Sequence, residues 1–188
     1  MLSSCGGQAV SDVKEIQRLM PDTSKTWAGK TTNSEYQNTR NIERKFQLVS
    51  LLNGTKGQEF RLWIRAGNYD PQELHILREE NGRWQLRQVS YYSSSNDSIS
   101  SDIVKEVQAS FVDSLQLHTL WKMPSQSQMV KGDSYGCMDG SDILLEMANR
   151  SKYRFAWYRC PNINKDKDSV FRFVSELTQK LIRQQFKR

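Results

Sequence analysis

The sequence predicts an α+β fold: an antiparallel sheet, built from a four-strand meander and a central hairpin, packed against two or three helices. Two apolar, aromatic-rich runs, 141–149 and 152–161, surround a polar turn and read as the hairpin. Upstream, alternating runs between 44 and 92 are punctuated by Asn53-Gly54 and Asn81-Gly82, the turn chemistry of a meander. Apolar residues at three- and four-residue spacing near both ends mark helices that would cover the sheet. At 188 residues the chain suits one domain over 9–188 behind a tether at 1–8. Only 37% of the residues are hydrophobic and the mean hydropathy is -0.72, yet five Trp, seven Tyr and seven Phe supply the large side chains a core needs.

In chain order, Val10, Val13, Ile16 or Gln17, and Met20 predict a short amphipathic helix stopped by Pro21. The stretch 22–41 is rich in Thr, Ser, Asn and Lys, has no period, and reads as a loop anchored by Trp27 and Tyr36. Four strands are expected at 44–52, 59–66, 73–80 and 83–92, the first two joined across 53–58 and the last two by Asn81-Gly82. After a serine-rich loop at 93–101, Asp102 is placed to cap a helix carrying Ile103, Val104, Val107, Phe111 and Leu115. Residues 115–121 either extend that helix or alternate as a strand, and 124–140 form a polar loop.

A hairpin turn at Arg150-Ser151 sets Leu144 opposite Trp157 and Ala148 opposite Tyr153 on one face. Ile143 then meets Tyr158, and Leu145 meets Ala156, on the other. A four-residue loop over 149–152 is the alternative turn. Both faces are mostly apolar, which places the hairpin centrally in a sheet covered on both sides. Val170, Phe173 or Val174, Leu177 and Leu181 then stripe a terminal helix, with Lys180, Arg183, Lys187 and Arg188 near its C-terminal end, where the dipole favours cations.

Three cysteines bear on compartment. Cys137 and Cys160 flank the hairpin and are expected to pair as a disulfide, with the chain folding back through Asp139-Gly140; two reduced, half-buried thiols are the plainer alternative. The opening Met1-Leu2-Ser3-Ser4-Cys5-Gly6-Gly7-Gln8 resembles the lipobox of bacterial lipoproteins, a Leu and two small residues before a Cys. The resemblance implies that Cys5 carries lipid, that Gly6 onward is a flexible tether, and that the domain faces the periplasm. It departs from the family in having only four residues before Cys5, without the charged and apolar part of a signal peptide. Attachment to a membrane is expected only through that N-terminal lipid.

The net charge of +6 is uneven: 150–188 holds eleven Lys/Arg against Asp166, Asp168 and Glu176, a net of +8, so residues 1–149 carry -2. Such a basic region suits an acidic protein, an anionic surface or nucleic acid, and is otherwise the solvated face of a helix. Arg154, Arg159, Lys165, Lys167 and Arg183 are the expected partner-binding residues. Stacking of nucleic acid on Tyr153, Phe155, Trp157 and Tyr158 is set aside, because aromatics alternating along a strand ordinarily form core.

No catalytic, metal or cofactor site is expected. Gly132-Asp-Ser-Tyr-Gly136 matches the pattern of a nucleophile elbow, but polar residues flank it and both histidines, His75 and His118, precede it. There is no HExxH or paired CxxC, and Asp133, Asp139 and Asp142 lack EF-hand spacing. Asn53-Gly-Thr-Lys-Gly57 is not a P-loop. The expected function is a non-catalytic periplasmic lipoprotein that binds another, acidic, protein, in its specific version as an inhibitor or immunity-type protein against an envelope-acting effector. A small hydrolase using Ser134 or Cys137, and a structural envelope lipoprotein, are the alternatives.

Overall fold

The computed structural model describes residues 15–20, 32–65, 71–92, 98–129, 137 and 140–185. Among these, seven strands form one sheet: β1 (Gln17–Leu19), β2 (Glu59–Arg65), β3 (Gln72–Glu80), β4 (Arg83–Tyr91), β5 (Ile99–Val107), β6 (Asp142–Ala148) and β7 (Lys152–Arg159). Their order is β1-β7-β6-β2-β3-β4-β5. Every pairing is antiparallel except β1 with β7, which is parallel.

Local chemistry accounts for the pairings. Asn81 and Gly82 both take positive φ, 53° and 76°, as the tight two-residue turn between β3 and β4 requires. In the β6–β7 hairpin, Leu144 lies opposite Trp157, Ala148 opposite Tyr153, Ile143 opposite Tyr158 and Leu145 opposite Ala156. The Asn149 side chain holds the turn by accepting from the Ser151 and Lys152 amides, both at 2.9 Å. The middle of the sheet is β2, not the hairpin, because β7 has only the three residues of β1 beyond it.

Four segments depart from the sequence reading, the first being 32–41, which reads as loop and forms most of the helix Thr32–Lys45, its buried positions being largely polar. Residues 44–52 are not a strand: α1 (Thr32–Lys45) runs through Lys45, and Leu51–Asn53 is a 3-10 turn. The alternation there comes from a helix end and a turn dropping apolar residues onto one core, with Phe46 edge-on to Tyr91 and Leu51 fully buried. Residues 102–107 are not a helix but most of β5, where Asp102 pairs with Arg87 of β4 instead of capping. A β-branched run of Ile99, Ile103, Val104 and Val107 favours that outcome. At the N-terminus, 17–19 is extended along β7 and not helical; residues 9–14, and the tether at 1–8, lie outside the described residues. The open segment 115–121 contains a 3-10 turn, Leu117–Trp121.

Cores fill both faces of the sheet. On one, Phe60, Leu62, Leu77, Leu86, Ile143, Leu145 and Tyr158 meet Val112 of α2 (Ala109–Ser114) and Leu117 and Leu120 of the 3-10 turn. Phe171, Val174, Leu177 and Leu181 of α4 (Ser169–Gln185) complete that core. The four α4 positions recur at three- and four-residue spacing, so one stripe is buried while the opposite side stays in water. On the other face, Trp63, Leu74, Ile76, Tyr91, Leu144, Tyr153, Phe155 and Trp157 lie beneath α1, which adds Tyr36 to the core. The short α3 (Pro161–Asn164) links β7 to α4, and its Asn162 accepts from the Ser175 hydroxyl at 2.5 Å.

The sulfurs of Cys137 and Cys160 lie at bonding distance, with Cα atoms 6.3 Å apart across 23 residues. The Cys160 amide donates to the Ser141 carbonyl at 2.9 Å, which aligns the end of the hairpin with the incoming loop. Gly140 leaves the room: a Cβ there would run into both sulfurs. In the chain-entropy model a loop of this length contributes about 3 kcal/mol. Cys137→Ser is expected to lower the unfolding free energy from urea titration by about that amount, with the difference from wild type vanishing once reductant is added to both.

Candidate functional site

The densest chemistry lies between α1 and β2. Glu35, Thr39 and Glu43 recur every four residues along the inner side of α1, and all are buried. Below them, Glu59, Arg61, Trp63 and Arg65 alternate on the same face of β2. Arg65 donates to Glu35 Oε2 at 2.7 Å and to the Thr39 hydroxyl at 3.0 Å, while Arg61 pairs with Glu43. Arg61, with no solvent exposure, also contacts Glu59 at 2.6 Å and donates to the Val49 carbonyl at 2.7 Å. The fully buried Glu146 of β6 accepts from Trp63 Nε1 at 2.9 Å, from the Tyr153 hydroxyl at 2.7 Å and from Arg40. Arg40 also pairs with Glu43 and lies over the Tyr36 ring, 5.0 Å from its centroid.

The electrostatics follow from this burial. Desolvation, reinforced by the nearby Glu146 carboxylate, pushes Glu43 up to about 7 against the opposing pull of Arg40 and Arg61. Burial and Glu146 together also raise the Tyr153 hydroxyl far above its ordinary value, so it remains a donor at every physiological pH. Arg40 is desolvated, yet its carboxylate neighbours outweigh that and hold it more firmly protonated than usual. Within the network each carboxylate accepts from a guanidinium, so its chemistry is positioning of α1.

The network reaches solvent at one end. Arg78 Nε donates to Glu59 Oε2 at 2.7 Å, and this pair forms the floor of a groove of about 1030 Å³. Its walls are the loop 54–58, the β3–β4 turn and the β6–β7 turn, with Lys56 and Arg150 on the rim. The Arg150 Nε donates to the Lys56 carbonyl at 2.7 Å, tying two of those walls together.

The expected partner-binding residues separate. Arg154 is buried, donates to the Met123 carbonyl, and is held below the usual guanidinium range by burial. Arg159 is half-buried beside the 3-10 turn Gln126–Gln128, its amide donating to Gln126 at 2.6 Å. Lys165, Lys167 and Arg183 are exposed on the α3–α4 connection and on α4. The structure adds Arg172 and Lys180 to that side, at helical spacing with Arg183. Arg150 and Lys152, part of the same basic sequence region, lie at the hairpin turn, away from this stripe in the chain's path.

Cys5 and Ser134 lie outside the described residues, and the sulfur of Cys137 is taken up with Cys160. His75 sits between Glu73, at 3.0 Å, and Gln88, at 3.1 Å, on the face opposite α1. Among the described residues no three His, Cys, Asp or Glu side chains gather closely enough to hold a metal, and no helix is long and apolar enough to cross a membrane. No protein-family model matches the chain, and no curated protein matches it either.

A carboxyl group whose folded-state pKa is raised binds its proton more tightly in the folded protein. Its contribution is therefore complete below the unfolded value of 4.5 and is lost as pH rises through about 7. Glu43→Gln is expected to flatten the stability–pH curve across that window: the wild-type urea midpoint falls from pH 5 to pH 8 more steeply than that of the variant. Parallel curves would show that Glu43 does not titrate there.

Proposed function

We propose that this chain is a non-catalytic protein-binding domain of the bacterial periplasm, held to a membrane by lipid on Cys5. More specifically, it acts as an inhibitor or immunity-type protein toward an envelope-acting effector. The observation that carries the binding reading is the exposed cationic side of α3 and α4. Lys165, Lys167, Arg172, Lys180 and Arg183 stand in water there against exposed Asp166 and Glu176. The opposite stripe of α4 is locked into the core, so these charges are presented from a rigid element. Cations near the C-terminal end of α4 also match its dipole. Complementary charge of this kind speeds association with an acidic partner and fixes orientation more than it adds affinity. The Cys137–Cys160 proximity supports an oxidising compartment.

Reversing Lys165, Lys167, Arg172 and Arg183 to Glu together tests the surface. Wild type is expected to copurify from the envelope fraction with an acidic protein at low salt and to lose it as salt rises. The reversed variant, melting within a few degrees of wild type, is expected to recover none. No protein partner at low salt, or equal recovery by the variant, would reject the reading. Intact mass on protein from the native membrane fraction tests the anchor: lipid-sized added mass at Cys5 and two protons gained on reduction are expected. An unmodified chain with three free thiols would rule out the envelope location.

A further inference from the structure

We propose that the outer edge of β5 pairs antiparallel with β5 of a second copy of this chain, about a two-fold axis passing at Ile103. Among the described residues β5 pairs with β4 alone, and it ends the sheet. It is nine residues long, bulged only at its start at Ser100, contains no proline, and leaves Ile99 44%, Ile103 47% and Val104 58% exposed. Natural sheets shorten, charge or cover such edges, because a long unpaired edge carrying apolar side chains is a template for another strand. The opposite edge lacks this character, since β7 is covered there by β1.

The register picks out the second copy as occupant. A two-fold axis perpendicular to the sheet keeps the α4 side of one copy level with the α4 side of the other, so opposed residues must come from the same face. The strand is bulged at Ser100, so the regular ladder runs from Ser101 to Val107. With the axis at Ile103, Ile103 meets Ile103 of the second copy, Ser101 meets Lys105 and Asp102 meets Val104. No like charges stand opposite one another. Shifting the axis to Asp102 sets that carboxylate against itself, and shifting it to Val104 sets Asp102 against Glu106; both are repulsive. The strand is already braced for pairing: Asp102 is held by Arg87 at 2.7 and 2.9 Å, and Lys105 by the Gln184 carbonyl of α4. Pairing at Ile103 shields exposed apolar residues of both copies, and it rests on β5 and not on the function proposed above.

The test is the mass of the full chain in solution across a dilution series, with Cys5→Ser as background so that only introduced thiols react. The background protein is expected to form a concentration-dependent dimer, and Ile103→Lys, which sets two ammonium groups face to face, to weaken it by about tenfold or more at an unchanged melting temperature. Ile103→Cys is expected to cross-link two copies on mild oxidation, because directly opposed Cβ atoms lie within disulfide reach. Val104→Cys, opposite Asp102, is expected to react far less. A background protein that stays monomeric throughout, including one that takes up a strand from another protein, overturns the proposal. So does a dimer indifferent to Ile103→Lys, or cross-linking through Val104→Cys as efficient as through Ile103→Cys.

Discussion

The ion pairs between α1 and β2 are the constraint on which one whole face of the sheet depends. Along the helix, Glu35 and Glu43 are eight residues apart, or about 12 Å at 1.5 Å per residue. Their partners Arg65 and Arg61 are four strand residues apart, or about 13 Å at 3.3 Å per residue. The two spacings agree, and the pairing is reversed in order, Glu35 with Arg65 and Glu43 with Arg61. The helix is therefore fixed antiparallel to β2. A slide by one turn would set buried carboxylates against apolar surface and strand two guanidinium groups. An apolar helix would slide at far smaller cost, so the charges define position as well as hold the helix down.

That arrangement carries a penalty. Taking several charged groups out of water is costly, and a buried ion pair is often no more stabilising than a well-packed apolar pair; removing one partner alone, however, is strongly destabilising. The network is accordingly best understood as specifying where α1 lies, with the aromatic layer of Trp63, Tyr153, Phe155 and Trp157 supplying the burial. Tyr153 and Trp63 contribute to both, since each buries a large ring and also hands a hydrogen to Glu146.

These same residues explain which parts of the fold were legible in the sequence. The β6–β7 pairing could be read from apolar runs about a polar turn, and the stripe of α4 from its spacing, because in both the buried side chains are apolar. Helix α1 could not: apart from Tyr36 its buried positions are Glu35, Thr39 and Glu43, a helical period written in polar letters, and apolar periodicity alone shows only a loop. Arg61 and Arg65 are hidden in the same way, since arginines alternating with apolar residues on a strand carry no sign of burial. A Glu-x3-Thr-x3-Glu run, followed by an alternating Arg-x3-Arg, was the available signal. Strand β5 was missed because its Ile103 and Val104 point to opposite faces yet both remain exposed, so no buried stripe distinguished helix from strand. The cationic side of α4 was legible in part: local charge counting found Lys165, Lys167 and Arg183, but could not reveal that Arg154 turns inward to a carbonyl.

The parallel pairing of β1 with β7 has a consequence for how the molecule would stand on a surface. Twelve residues separate Cys5 from Gln17, so a lipid at Cys5 would leash the β1 end of the sheet within about 40 Å of the bilayer. Strand β5 lies six strand spacings further across, about 29 Å at 4.8 Å per spacing. The sheet would thus be hung by its β1 margin, with the β5 margin held away from the anchor, where a second copy tethered in the same way could meet it.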